Sequence, residues 1–255
     1  MGFFISSIGS AIGSAISAVG SALSGGLSMM VEGLTGIAAT IGNGIKSICE
    51  SVGSEALGII GCIAVAILIP GFGIPEILAI IQCIAEVVKI LGVNEGDDSP
   101  EELGMKAEIA DKKPEDFDSI EEYIKYLNDE VKLEDNAAEN LSETDRVKYG
   151  ALGTALNIKA IEEKYDINLS PDFLRDITLM KLTGEEVAKC IDKCKENEIK
   201  DVQDMTDYLR GNSTQSDKST VSEAIVESIS EVYPELSKDE VEVKLCEMSD
   251  NLKDE

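Results

Sequence analysis

Residues 56–93, ALGIIGCIAVAILIPGFGIPEILAIIQCIAEVVKILGV, constrain this chain more than any other stretch, because a segment so apolar must be withdrawn from water. Between residues 56 and 75 there is no charged side chain over 20 positions, about the length of a bilayer-spanning helix. The run is interrupted, however. Pro70 and Pro75 remove amide donors and Gly71 and Gly73 bend freely, so PGFGIP reads as a turn between two arms, residues 57–69 and 77–91. Each arm reaches about 20 Å at 1.5 Å per residue, short of a roughly 30 Å hydrocarbon core. The expectation is an apolar helical hairpin. It would be a transmembrane pair tilted in a thinned bilayer, a shallow re-entrant hairpin, or a pair hidden inside an assembly. Ile60, Ile63, Ile67, Phe72, Ile77, Ile80 and Ile84 are its candidate lipid contacts.

Charge divides the chain sharply. Residues 1–93 hold five acids (Glu32, Glu50, Glu55, Glu76, Glu86) and two bases (Lys46, Lys89), so −24 of the formal net charge of −27 falls on residues 94–255. Such an acidic protein lacks the Lys and Arg that neutralise phosphates, which argues against nucleic acid as a partner and against charge-driven docking on anionic lipid. Six dispersed cysteines without the density of a disulfide framework read as thiols in a reducing, cytoplasmic compartment. Cys190 and Cys194 share a helix face at i, i+4, but no histidine exists to complete a metal site or act as a general base. No phosphate loop, dinucleotide fingerprint, nucleophile elbow or calcium loop occurs. The expectation is a protein without catalytic residues, metal or cofactor, and not an enzyme.

The N-terminal segment MGFFISSIGSAIGSAISAVGSALSGGL lacks the basic start and compact apolar core of a signal peptide. Its large apolar residues, Ile5, Ile8, Ile12, Ile16, Val19, Leu23 and Leu27, recur at an eleven-residue period, which draws one narrow ridge along a helix. Gly9, Gly13 and Gly20 with neighbouring serines provide small faces for close helix packing. Phe3, Phe4, Ile8, Ile12, Ile16, Val19 and Leu23 are expected at a lipid surface, and Gly9, Gly13 and Gly20 at helix contacts in a homo-oligomer or larger assembly. The start MGFFIS fits the pattern for N-myristoylation of Gly2. The ridge continues through Val31, Leu34, Ile37, Ile41, Ile45, Ile48 and Val52.

The MG start, the Gly/Ala/Ser-rich helices, the string Val31 Glu32 Gly33 Leu34 Thr35 and the apolar hairpin after it resemble the inner minor capsid proteins of polyomaviruses. The resemblance covers residues 1–93 at most and is mainly compositional. It implies membrane penetration by a viral structural protein. Where that family carries a basic nuclear-targeting tail, this chain is acidic.

From residue 94 the pattern changes. Residues 94–118 read as a charged linker holding one short helix that starts at Ser99, Pro100 and Glu102. Capping pairs then recur at Ser119 with Glu122, Ser142 with Asp145, Thr183 with Glu186, Thr220 with Glu223 and Ser237 with Glu240, and Ser170 precedes Pro171. They predict helices over 120–134, 143–165, 171–181, 184–197, 201–210, 221–232 and 238–252, with no strand. The fold class is therefore all-α. Its expected parts are amphipathic Gly/Ser/Ala-rich helices (1–55), the apolar hairpin (56–93), the linker (94–118), an acidic helical domain (119–210), a flexible linker (211–219) and a C-terminal helical hairpin (220–255). The functional expectation is a non-enzymatic, membrane-associated protein that inserts into or lies on a lipid bilayer through residues 1–93, for membrane penetration or pore- or channel-like self-association, with an acidic helical docking domain. The alternative is an internal structural or ejected component of a virion, phage tail or injection-type particle.

Overall fold

In the computed structural model, residues 23–68, 73–94 and 96–253 are described. The protein is all-α: twelve α-helices and two short 3-10 turns occur among these residues, with no strand. In chain order the helices are α1 (Leu23–Glu32), α2 (Gly36–Val52), α3 (Glu55–Ala66), α4 (Ile74–Leu91), α5 (Pro100–Ile109), α6 (Ile120–Glu130), α7 (Glu143–Tyr165), α8 (Pro171–Met180), α9 (Gly184–Glu196), α10 (Gln203–Arg210), α11 (Lys218–Val232) and α12 (Lys238–Lys253).

The axle is α7. Its N-cap Ser142 accepts from the Asp145 amide, and Asp166 closes it in the left-handed region at φ 55°. Every residue from 150 to 158 is buried, because α2, α3, α4, α5, α6 and α9 all lie against it. The closest neighbour is α5. A Cβ at Gly104 would fall 2.1 Å from the Tyr149 carbonyl oxygen, and one at Gly153 would fall 1.9 Å from the Pro100 carbonyl oxygen. The two backbones meet only because both positions are glycine. The stretch read as a charged linker thus contains a helix whose Leu103 and Ala107 are fully buried.

The apolar run has a different fate from the one its composition predicts. Among the described residues no helix is long and apolar enough to cross a membrane, which overturns the expectation of a transmembrane helix. Ser54 starts α3 by accepting from the Leu57 amide, and α3 ends at Ala66, ahead of Pro70. This helix is buried in the protein's own core, under α1 and α2 and against α7. Helix α4, with Gly73 before it and Pro75 in its first turn, is amphipathic. It buries Ile77, Ile80, Ile81, Cys83, Ile84, Val87 and Val88 and turns Gln82, Glu86 and Lys89 to solvent. Both arms lie against α7, with α3 also against α1 and α2 and α4 also against α9, rather than along one another.

In the C-terminal half, α8 to α12 pack pairwise: α9 on α11, α10 on α11 and α12, and α8 on α12. The loops after α7 and α9 meet in a parallel bridge between Asn168 and Asp201, with the Asn168 amide donating to Lys200 O at 2.7 Å. The 211–219 segment is held by Asp204, whose carboxylate accepts from the Gln215 and Ser216 amides.

The glycine contact yields a prediction. Gly153→Ala raises helix propensity by up to about 1 kcal/mol, yet the added methyl has no room against Pro100. Urea denaturation should show a net loss of about 1–3 kcal/mol, the usual range for overpacking.

Candidate functional site

The residues singled out by the sequence do not form one constellation. Phe3, Phe4, Ile8, Gly9, Ile12, Gly13, Ile16, Val19, Gly20, Pro70, Gly71 and Phe72 lie outside the described residues. Leu23 opens α1, Gly73 caps α4 and Pro75 sits in its first turn. Ile60, Ile63, Ile67, Ile77, Ile80 and Ile84 are brought together, but in the shared core: none is more than 6 % exposed.

Helix α3 is the most enclosed of these elements. From Ile60 to Leu68 every residue is buried, as expected of a helix that is apolar on all sides. On one side Gly61 takes the Cys49 sulfur of α2, which approaches to 2.5 Å of where a Cβ would stand. Polar ties to it are few. The Cys49 thiol donates to Leu57 O at 3.2 Å. At its N-terminus, Glu115 of the 3-10 turn Pro114–Asp116 accepts from Ser54 Oγ at 2.7 Å and from the Ala56 amide at 2.8 Å. A carboxylate there satisfies an orphan amide and complements the helix dipole.

The seat of the apolar helices is imperfect in one respect. Gly150 of α7 faces α4, with Ile81 Cδ1 3.0 Å from its Cβ position. Thr154 and Asn157 follow at i+4 and i+7 on the same face. Both are at least 96 % buried, and neither Thr154 Oγ1 nor Asn157 Oδ1 has a hydrogen-bond partner among the described residues. A buried, unpaired polar group costs about 1–3 kcal/mol, so the core carries groups that water would relieve. No expectation from the sequence covered this stripe. Its signal was present as two polar residues within the otherwise small and apolar run 150–158.

The remaining polar clusters tie helices together. Asp176 of α8, almost wholly buried, takes both guanidinium nitrogens of Arg210 and an amide hydrogen of Gln203. Glu186 of α9 accepts from Thr183 N at 2.8 Å and Tyr233 Oη at 3.1 Å, and pairs with Lys244 of α12 at 2.9 Å. Lys193 of α9 pairs with Glu231 and Glu227 of α11. Each carboxylate here is consumed by structural partners. Cys190 and Cys194 are buried free thiols, with Cys190 pushed up to about 12 by desolvation, so neither offers a reactive thiolate. Among the described residues no group of three His, Cys, Asp or Glu side chains is placed to hold a metal ion.

Two outcomes follow. Thr154→Val keeps the side-chain shape and removes the orphan hydroxyl, so it should stabilise the protein by about 1 kcal/mol, read as a shift of the urea midpoint. For Glu186, burial raises the carboxyl pKa, but the Thr183 amide and Lys244 outweigh burial and leave it lowered. The stability it contributes is present above the unfolded value of about 4.3 and is lost as pH falls through the folded value. Lys244→Met should therefore cost about 1–2 kcal/mol at neutral pH and much less once the pH has fallen below the folded value, where Glu186 is protonated.

No protein-family model matches the chain, and no curated protein or solved structure is significantly similar to it. The expectation of a viral or phage structural protein has no relative to rest on and is withdrawn.

Proposed function

We propose that this is a non-enzymatic protein that acts at a lipid bilayer by storing an apolar helix, α3, beneath two charge-poor amphipathic helices that exchange it for lipid. One observation carries the reading. Helix α3, apolar throughout after its first residue Glu55, is covered by α1 and α2, whose buried residues Leu27, Met30, Val31, Ile41, Ile45 and Ile48 form one apolar lining. Lipid tails are about as apolar as leucine. Turning that lining from α3 onto a bilayer, and letting α3 follow, keeps the apolar surfaces of these three helices out of water and opens to it only the face of α7 that they covered. Backbone hydrogen bonds stay within each helix, so none is lost. In this reading the acidic remainder, bearing −24, stays in water, and α7 is the seat from which α3 departs. The uncharged ridge of residues 1–22 supports the same direction, being suited to an interface rather than to bulk water.

The test is to fasten the cover. A Cβ at position 61 stands 3.7 Å from Cys49 Cβ, close to the spacing of a natural disulfide. Gly61→Cys should then bridge α2 to α3 after a small turn of the Cys49 sulfur. On phosphatidylcholine vesicles the wild-type chain should associate and release an entrapped dye. The oxidised variant should release none, and reductant should restore release. Equal release from the bridged and reduced forms, or no association of the wild-type chain, overturns the proposal.

A further inference from the structure

Resting on that reading, we infer that the first contact with the bilayer is the exposed corner between α1 and α2, built around Met29 and Ile37, and that the lipid it fits is zwitterionic. These are two of the most exposed large apolar side chains, at 68 % and 57 %. They flank the turn at Gly33, four residues away on either side, and the residues exposed there besides them are Glu32, Gly33, Thr35, Gly36 and Thr40. The reason for the exposure is geometric. Ile37 lies on the same helix face as Ile41 and Ile45, at i, i+4 and i+8, and those two are buried at 1 % and 0 %. The apolar lining of α2 therefore runs past the end of its cover and emerges at the surface. An overhang of a core ridge is a place where a second apolar phase continues the burial already begun inside.

Charge selects the occupant. From α1 to the end of α2 the charged residues are Glu32, Lys46 and Glu50, and the last two form an i, i+4 pair at 3.8 Å. A chain of net charge −27 is repelled by anionic headgroups. This corner, whose one charged residue is Glu32, meets a neutral headgroup layer without that penalty and places two apolar side chains in it. The chain preceding Leu23 joins at α1 and contains no charged side chain in 22 residues, so the neutral character extends beyond the corner.

The sequence contains no tryptophan, so Ile37→Trp introduces a single tryptophan, excited selectively over the six tyrosines, at an exposed position where folding is undisturbed. Circular dichroism checks that fold. In the full-length chain, adding phosphatidylcholine vesicles should shift its emission to the blue. Replacing part of the lipid by phosphatidylserine should weaken the response. Tryptophan also favours the interface, so binding should tighten relative to wild type, whereas Met29→Glu with Ile37→Glu should weaken it at least roughly tenfold, for two apolar anchors lost. Binding with unchanged emission means that another face docks, and overturns the inference while leaving the storage of α3 intact. Absence of any vesicle association overturns both. A blue shift that depends on protein concentration without vesicles assigns the corner to a second copy of the chain and likewise overturns it.

Discussion

Contact between the backbones of α5 and α7 is the constraint on which the rest of the structure depends. With Gly104 against Tyr149 and Gly153 against Pro100, the two helices approach more closely than any pair bearing β-carbons could. That brings the N-terminal end of α5, fixed by the Ser99–Glu102 capping box, onto the middle of the axle. Lys106, 6 % exposed, then reaches Asp98 and the Asn128 carbonyl of α6 and fastens the same region from the other side. An axle so enclosed offers its other faces to α2, α3, α4 and α9. The apolar and the acidic parts of the chain therefore share one core, although they differ so strongly in composition.

The two parts are held by different forces. Around α1 to α4 the contacts are almost entirely apolar, and among the described residues the polar links across them are few: the Cys49 and Cys83 thiols, a glutamate at one helix end and a lysine, Lys164, on the Gly92 carbonyl. Burial of this kind is non-directional, and a bilayer can supply it equally well. Around α8 to α12 the joints are ion pairs and charge-assisted hydrogen bonds with fixed partners, such as Asp176 with Arg210. Those depend on geometry and have no substitute in lipid. A division between an exchangeable half and a fixed half follows from the interactions rather than from any linker.

Much of this was legible because helix starts are local chemistry. Ser99, Ser119, Ser142, Ser170 and Thr183 each accept the amide hydrogen bond that the sequence pattern predicts, and Ser237 and Glu240 exchange theirs. Thr220 failed because Asp217 lies upstream and caps Ser219 and Thr220 first, which starts α11 at Lys218. The predicted helix over 120–134 ends at Glu130, where Val131 turns extended. What the sequence hid was tertiary. Acidic side chains on α5 disguised the burial of a helix whose start was legible, and the run 56–93 carried no sign that α7, some 80 residues later, would enclose it. An apolar helix looks alike whether lipid or protein surrounds it, because its periodicity vanishes in both cases. The candidate site was legible only as apolar positions. Ile37 belonged to the ridge by spacing, and nothing local foretold that its cover would stop short.

The order of helices along the chain has a consequence for how the protein is made. Synthesis delivers α3 first and its seat, α7, only after the intervening 76 residues. At about 5–20 residues per second the interval is roughly 4–15 s. Throughout it the ribosome-bound chain presents a largely apolar helix that has α1 and α2 against it but not yet its seat. The Glu115 cap arrives partway through that interval, and the axle arrives last. Every molecule thus passes, once and without any trigger, through a state in which its stored helix is unseated, and whatever apolar surface or holding chaperone stands near the ribosome exit competes with α7 for it.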